Sequence, residues 1–152
     1  MTVDDALTAL EHDHDELTRA MRELAAMFTG PALSATPPGH LASVLAELRD
    51  ELVMHFVREE EGLFPALALH LPDLSGAVDE LIVLHDEICA GATRLVYLAR
   101  SSSRLDSLLP VFRRFEAAYG RHAQAERGLL GQAARRLTPE QRAELAEVVR
   151  AL

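Results

Sequence analysis

Four stretches of this chain repeat apolar residues at spacings that alternate between three and four, and this pattern most constrains its fold. The stretches cover residues 7–28, 41–66, 78–99 and 108–133. Such spacing places apolar side chains along one face of an α-helix. Four long helices with short connections favour antiparallel neighbours. The sequence therefore predicts an all-α protein, an antiparallel up-and-down four-helix bundle.

Proline, glycine and serine residues separate the four stretches. They predict a loop from Gly30 to Gly39, a turn at residues 71–73 and a break at residues 101–103. Pro65 falls inside the second stretch, where it should kink or end the helix because it lacks a backbone N–H.

A short fifth helix is predicted after Thr138. Thr138 has the properties of an N-cap, Pro139 follows at the first helical position, and Gln141 completes a capping box. We interpret this helix, residues 138–151, as an appendage to a bundle formed by residues 4–137. The chain of 152 residues should thus form a single domain, residues 1–152.

Histidine replaces an expected leucine on each of the four apolar seams. Two of these histidines are followed four residues later by a glutamate, which lies on the same helix face. Burying a lone carboxylate costs on the order of several kcal/mol. A buried carboxylate therefore needs a partner that offsets this cost. A metal ion is the obvious partner. The candidate metal ligands are His14, His55, Glu59, His85, His122 and Glu126.

Helix geometry places the four histidines at one level of the bundle. At a rise of ~1.5 Å per residue, each histidine lies about 21 to 24 Å from the end of its helix nearest the connecting loop. Histidines scattered through a core at random would have no reason to agree in this way.

An internal repeat suggests how two ions would share these ligands. His-Asp-Glu at residues 14–16 recurs at residues 85–87, and His-xxx-Glu at residues 55–59 recurs at residues 122–126. Two helix pairs related by a pseudo-twofold axis would place one ion in each half, with both carboxylates between them. With an oxo or hydroxo bridge, each ion would keep one open position. Such nitrogen and oxygen ligands suit iron or manganese better than zinc.

The order His, His-xxx-Glu, His, His-xxx-Glu resembles the hemerythrin-like (HHE) cation-binding family. Residues 55–65, HFVREEEGLFP, resemble the H-xxx-EE-x-LFP stretch of that family. The order is closest to the diiron domain of iron–sulfur cluster repair proteins. It differs from oxygen-carrying hemerythrins, which have a second histidine where this chain has Cys89.

The resemblance implies a non-heme diiron protein that binds or senses O₂, NO, peroxide or iron status at an open coordination site. Two other functions remain open: a diiron enzyme that breaks down peroxide or reduces O₂ or NO, and an iron donor or storage protein in stress repair. A stable spectral change with O₂ or NO would indicate a carrier or sensor, turnover of peroxide an enzyme, and loss of iron to an apoprotein a donor. The sequence does not decide whether the protein is an enzyme.

Several further residues have two interpretations. Tyr119 lies one turn before His122, where it either packs in the core or supplies a phenol to the metal, and Glu60 is the better candidate than Glu61 for orienting a ligand. His14 is preferred to His12, which lies off the seam. We interpret His40 and His70 as surface or cap residues and Cys89 as a small core residue. The acidic residues at positions 11, 13, 15 and 16 are interpreted as first-turn charges that complement the helix dipole.

Charge and cysteine content limit the partners and the compartment. The net charge of −9 argues against nucleic acid, and no run of eighteen apolar residues could span a membrane. The N-terminal residues show no apolar secretory segment, and a lone cysteine fits a reducing compartment. We expect a cytoplasmic protein whose partner is a small diatomic or peroxide ligand. No protein partner is indicated.

Overall fold

The computed structural model describes residues 4–30, 36–101 and 105–151, with side chains in the first helix described from Asp13 onward. The helices are α1 (Asp4–Thr29), α2 (Pro38–Arg58), α3 (Phe64–His70), α4 (Ser75–Ser101), α5 (Leu108–Arg136) and α6 (Pro139–Arg150). Short 3₁₀ turns at Pro72–Leu74 and Leu105–Ser107 precede α4 and α5. Parts of two predicted breaks, residues 31–35 and 102–104, lie outside the described residues.

The predicted all-α bundle is confirmed. α2 and α3 join through a π turn, Glu59–Leu63, into one rod, so that α1, this rod, α4 and α5 form the four antiparallel members. α4 packs along both α2 and α5. Gly91 permits the close approach to α5, since a Cβ there would lie 3.3 Å from Phe115. None of the described helices is both long enough and apolar enough to cross a membrane.

A polar layer divides the core into two apolar clusters. One cluster lies toward the α1–α2 connection and includes Leu24, Leu45 and Phe112. The other lies toward α6 and includes Leu67 and Leu129. Between them, three histidines and two glutamates are buried, each at most 3% exposed. Apolar packing on both sides therefore fixes the height of the polar layer in the bundle.

The π turn changes the expected consequence of Pro65. The rod neither ends at this residue nor continues as a regular α-helix; instead the N–H of Phe64 bonds to the carbonyl oxygen of Glu59, five residues earlier. Such a widened turn accommodates a residue that lacks its own N–H. The extra residue shifts the apolar seam that follows. Leu67 is fully buried where Ala66 was expected on the seam, and Ala66 is only half-buried.

α6 is a structural part of the core, so its interpretation as an appendage is wrong. Both bonds of the predicted capping box between Thr138 and Gln141 are present. The helix contacts α1, α3 and the π turn, and it buries Leu145 in the cluster on that side of the polar layer. Without α6 that apolar cluster would be open to water.

Candidate metal centre

All six residues singled out on the seams meet at one level of the bundle. Each of the four rods supplies one histidine, and the two glutamates come from the π turn and from α5. The contributors are His14 of α1, His55 of α2, Glu59 of the π turn, His85 of α4, and His122 and Glu126 of α5. The four imidazoles form two pairs. Nε2 atoms lie 2.9 Å apart between His14 and His55, and 2.9 Å apart between His85 and His122.

Glu59 lies between the two histidine pairs and offers one oxygen to each. Its Oε1 is 2.8 Å from Nε2 of His55 and 3.3 Å from Nε2 of His14. Its Oε2 is 3.0 Å from Nε2 of His85 and 3.9 Å from Nε2 of His122. One carboxylate therefore faces both histidine pairs.

Glu126 contacts one histidine from each pair. Its Oε2 lies 2.9 Å from Nε2 of His14 and 3.5 Å from Nε2 of His122. Its other oxygen, Oε1, is buried. Both carboxylates therefore occupy the space between the histidine pairs, one on each side.

The donor atoms fit a metal cation. Two groups, His14–His55–Glu59–Glu126 and Glu59–His85–His122, each bring their donor atoms within 4.8 Å of one another. Glu59 is 0% and Glu126 2% exposed, and Glu59 Oε2 and Glu126 Oε1 have no hydrogen-bond partner among the described residues. Unpaired buried carboxylate oxygens are costly, and a cation removes that cost. The donors are imidazole and carboxylate, which suit a first-row transition metal.

Protonation in the metal-free protein reflects the crowding of the two carboxyls. Burial and the neighbouring Glu59 raise the pKa of Glu126 to about 8. Although burial opposes it, the polar contacts with Glu126, His122 and His14 hold the pKa of Glu59 well below its usual range. Burial also opposes charge on His14, yet the two glutamates raise its pKa to about 10. A cation that binds here would therefore displace protons from Glu126 and His14.

His85 is oriented by two neighbours on the α2–α3 rod. Its Nδ1 lies 2.7 Å from Oε1 of Glu60, and its ring stacks on Phe56 at 3.8 Å between centroids. A carboxylate only accepts hydrogen bonds, so Nδ1 of His85 donates this one, and Nε2 is the nitrogen that faces Glu59. Sequence reasoning had favoured Glu60 for such a contact over Glu61, which is exposed. Nothing in the apolar spacing indicated the stacking of Phe56.

Tyr119 packs in the core, as one of its two interpretations predicted, and its role toward a metal stays a prediction. It is buried at 8% exposure in the apolar cluster, and its hydroxyl lies 3.5 Å from Oγ1 of Thr18 on α1. Burial raises the pKa of this phenol, which therefore stays protonated at neutral pH. The same residue lines a groove that reaches His122 and Glu126.

His40, His70 and Cys89 lie away from the polar layer. His40 is exposed, and His70 contacts Glu144 of α6 at 3.1 Å. Cys89 is half-buried and packs against the cluster that contains Phe112. The side chain of His12 lies outside the described residues.

Asp13 has a position that the sequence did not reveal. α1 begins at Asp4, so Asp13 lies about 2.5 turns into the helix. The first-turn interpretation of Asp13, Asp15 and Glu16 is therefore wrong. Instead, Oδ2 of Asp13 lies 3.9 Å from Nδ1 of His55 and 3.5 Å from Nη1 of Arg58. Asp13, the neighbour of His14 in α1, therefore lies beside a second candidate ligand, His55.

Two grooves flank α1 and lead toward the centre. The groove between α1 and α5 has a volume of about 500 Å³ and is lined by His14, Thr18, Tyr119, His122 and Glu126, among others. The groove between α1 and α2 has a volume of about 420 Å³ and reaches His55. His14 lines the α1–α5 groove with a side chain that is 23% exposed, whereas the side chains of the other three histidines are at most 4% exposed.

A helical bundle that surrounds histidines and carboxylates with apolar packing defines a class of cation-binding protein. The chain belongs to one family of this class: the model of the hemerythrin HHE cation binding domain matches residues 5–151. Comparisons with curated proteins and with solved structures gave no significant match. The resemblance drawn from the His and His-xxx-Glu order is thereby confirmed at the level of the family.

Proposed function

We propose that this protein binds two iron ions, one at each histidine pair, and takes a small exogenous ligand at the centre. Glu59 supports two ions because its oxygens face different pairs, at 2.8 Å from His55 and 3.0 Å from His85. Glu126 supports the same arrangement because it contacts His14 and His122. The ligands would be His14, His55, Glu59, His85, His122 and Glu126.

The donor set is compatible with iron, and manganese is the alternative. Imidazole with carboxylate suits both ions, and no described thiol is among the donor groups. Cys89, one turn beyond His85, packs against the apolar cluster. A lone cysteine also agrees with the reducing cytoplasm in which we place the protein.

The groove between α1 and α5 carries the functional half of the proposal, because it opens on the ligands His14, His122 and Glu126. Bound iron would supply an open coordination position and a change of redox state to O₂, NO or peroxide. The chain's own part is to admit such a ligand and to hold protons near it. The hydroxyls of Tyr119 and Thr18, 3.5 Å apart, line this route and can donate hydrogen bonds.

A donor of iron is the second candidate function. It is favoured by the unequal exposure of the ligands, since the His14 side chain is 23% exposed and that of His85 only 2%. A chelating partner would then reach the ion at His14 before the one at His85. Turnover of peroxide, the enzyme alternative, would use the same groove.

The first experiment measures metal content and the optical spectrum before and after air, NO and peroxide. We expect about two irons per chain and charge-transfer bands that change with one of these ligands. In the Glu59→Gln variant the iron content should fall below two, because the bridge loses its charge. Glu61→Gln, an exposed neighbour on the same π turn, is the matched control. Zinc, or full iron occupancy in Glu59→Gln, would refute the bridged diiron assignment.

The role of the groove is tested by Tyr119→Phe, with Tyr97→Phe as its control. Tyr97 is 69% exposed and lines neither groove, so only the Tyr119 variant removes a hydroxyl near the centre. Losing one hydrogen bond of about 1 kcal/mol should weaken NO binding about five-fold, as measured by optical titration. Equal affinities in both variants would place the ligand elsewhere.

A further inference from the structure

The groove between α1 and α2 differs in charge from the groove through which we propose that the small ligand enters. Its lining holds four carboxylates, from Asp13, Glu16, Asp50 and Glu51, against the guanidinium of Arg58. The α1–α5 groove holds one exposed carboxylate, Asp15, and one guanidinium, Arg127, beside the ligands. A cleft lined by one sign of charge concentrates counter-ions at its floor. The α1–α2 groove is therefore the attractive route for a cation.

The pairing of these charges leaves the groove acidic. Arg58 lies 3.5 Å from Asp13, and Arg49, from outside the groove, lies 3.0 Å from Asp50. Asp50 is 69% exposed, so its ion pair with Arg49 is solvated and weak. Carboxylates outnumber the guanidiniums along the whole groove, from the exposed Asp50 and Glu51 inward to Asp13.

A buried, unpartnered nitrogen ends this groove. His55 is only 3% exposed, and its Nδ1 has no hydrogen-bond partner in the described part of the chain. Its Nε2 faces Glu59 on the other side of the ring. The imidazole thus presents one nitrogen to the groove and one to the metal centre. His85 is different, since Glu60 already occupies its Nδ1.

Asp13 and His55 are spaced for one ion. Oδ2 of Asp13 lies 3.9 Å from Nδ1 of His55, which is too long for a hydrogen bond. Two donors on one ion can be separated by up to about 4.2 Å, twice a metal–ligand bond of ~2.1 Å. A cation that has shed part of its water can therefore bind both atoms in place of the guanidinium of Arg58, whose Nη1 lies 3.5 Å from the same oxygen of Asp13.

We propose that Fe²⁺ enters the centre through the acidic α1–α2 groove and binds first between Asp13 and His55. This inference rests on the proposed metal site and assigns its loading route. Asp50 and Glu51 attract the hydrated ion, and Asp13 and Nδ1 of His55 then replace two of its waters. Movement of the imidazole passes the ion to Glu59 and His14. The small ligand uses the opposite groove, so loading and ligand binding occur on different sides of α1.

The test compares rates of Fe²⁺ uptake by metal-free protein without oxygen, followed in a stopped-flow instrument by the loss of colour of a chromophoric Fe²⁺ chelator. One variant, Asp50→Asn with Glu51→Gln, removes two charges at the groove without touching a ligand. Its matched control, Asp79→Asn with Glu80→Gln, removes two exposed charges on α4 that line neither groove. At low salt we expect uptake to slow about ten-fold in the groove variant only. High salt should shrink the difference by screening, and the final iron content should match wild type.

The outcomes separate loading from other roles. Equal rates in the two variants would overturn the route, because only net charge would then matter. An unchanged rate with a lower final iron content would also overturn it, because the carboxylates would then support the centre itself. If wild-type protein takes up no Fe²⁺, the proposed function fails as well, whereas normal uptake with equal rates rejects the route alone.

Discussion

At the scale of single residues, Glu60 determines which nitrogen of His85 faces the centre. Its carboxylate accepts the Nδ1 proton at 2.7 Å and so leaves Nε2 free to bind a cation. Removing such a partner from a metal-bound histidine costs about 10- to 100-fold in metal affinity. We expect Glu60→Ala to show a loss of this size in competition with a chelator. The exposed neighbour Glu61→Ala should bind metal as wild type does, and equal losses would contradict this role.

The Cys89 thiol provides a test of the electrostatics near the centre. Burial and the charges of Asp86 and Glu60 raise its pKa above the ordinary value of 9.0. Because only the thiolate reacts, alkylation at pH 8 should be slower in the folded protein than in urea. The rate should rise with pH and reach half its maximum above pH 9. Mass spectrometry of iodoacetamide-treated samples measures it, and a midpoint below 9 would refute the assignment.

Residue spacing accounts for much of the site but not for its fine positioning. The six seam residues could be selected from sequence because a histidine or glutamate that interrupts an apolar helix face becomes buried and then needs a partner. The partners of these residues could not, since Asp13 and Phe56 are recognisable only once neighbouring helices are placed. For Glu60 the sequence indicated the residue, but not that it would contact His85.

At the scale of elements, the π turn is the feature that sequence reasoning did not predict. Pro65 indicated that the regular helix would be interrupted. A kink, a helix end and a widened turn can each accommodate a residue that lacks a backbone N–H, so the sequence did not distinguish them. The structure adopts the widened turn, which places adjacent residues, Glu59 and Glu60, on two sides of His85. A regular helix turns neighbouring side chains about 100° apart. The buried seam accordingly shifts from Ala66 to Leu67.

The C-terminal helix gives a test of packing at this scale. Leu145 is 1% exposed inside the apolar cluster next to the π turn, whereas Val148 on the same helix is 41% exposed. Truncating a fully buried leucine leaves a cavity and costs about 3 kcal/mol. We expect Leu145→Ala to lower the free energy of unfolding in urea by that amount. Val148→Ala should change it by less than about 0.5 kcal/mol, and similar losses in both would show that α6 is only loosely attached.

At the scale of the whole molecule, the centre couples metal binding to folding. Its ligands come from all four rods, so the unfolded chain offers no comparable site. A ligand present at 100 times its dissociation constant stabilises the folded state by about 2.7 kcal/mol. For a chain of this size, that corresponds to a rise in melting temperature of about 5 to 10 °C.

Calorimetry without oxygen, with Fe²⁺ or with a chelator, measures this rise. Glu59→Gln should show a smaller rise, since the bridge between the histidine pairs is weakened. Glu61→Gln should respond as wild type does. A rise that is equal in all three proteins would mean that iron binds outside the centre.

The distribution of ligands along the chain also determines when a cation can be captured during synthesis. His14 and His55 are synthesised before His85, and His122 and Glu126 follow only in α5. Neither group of donors in the centre is complete until α5 has been made. A nascent chain therefore holds only partial, weakly binding fragments of the site. Metal can therefore fill the centre only after α5 has been synthesised and has joined the other helices.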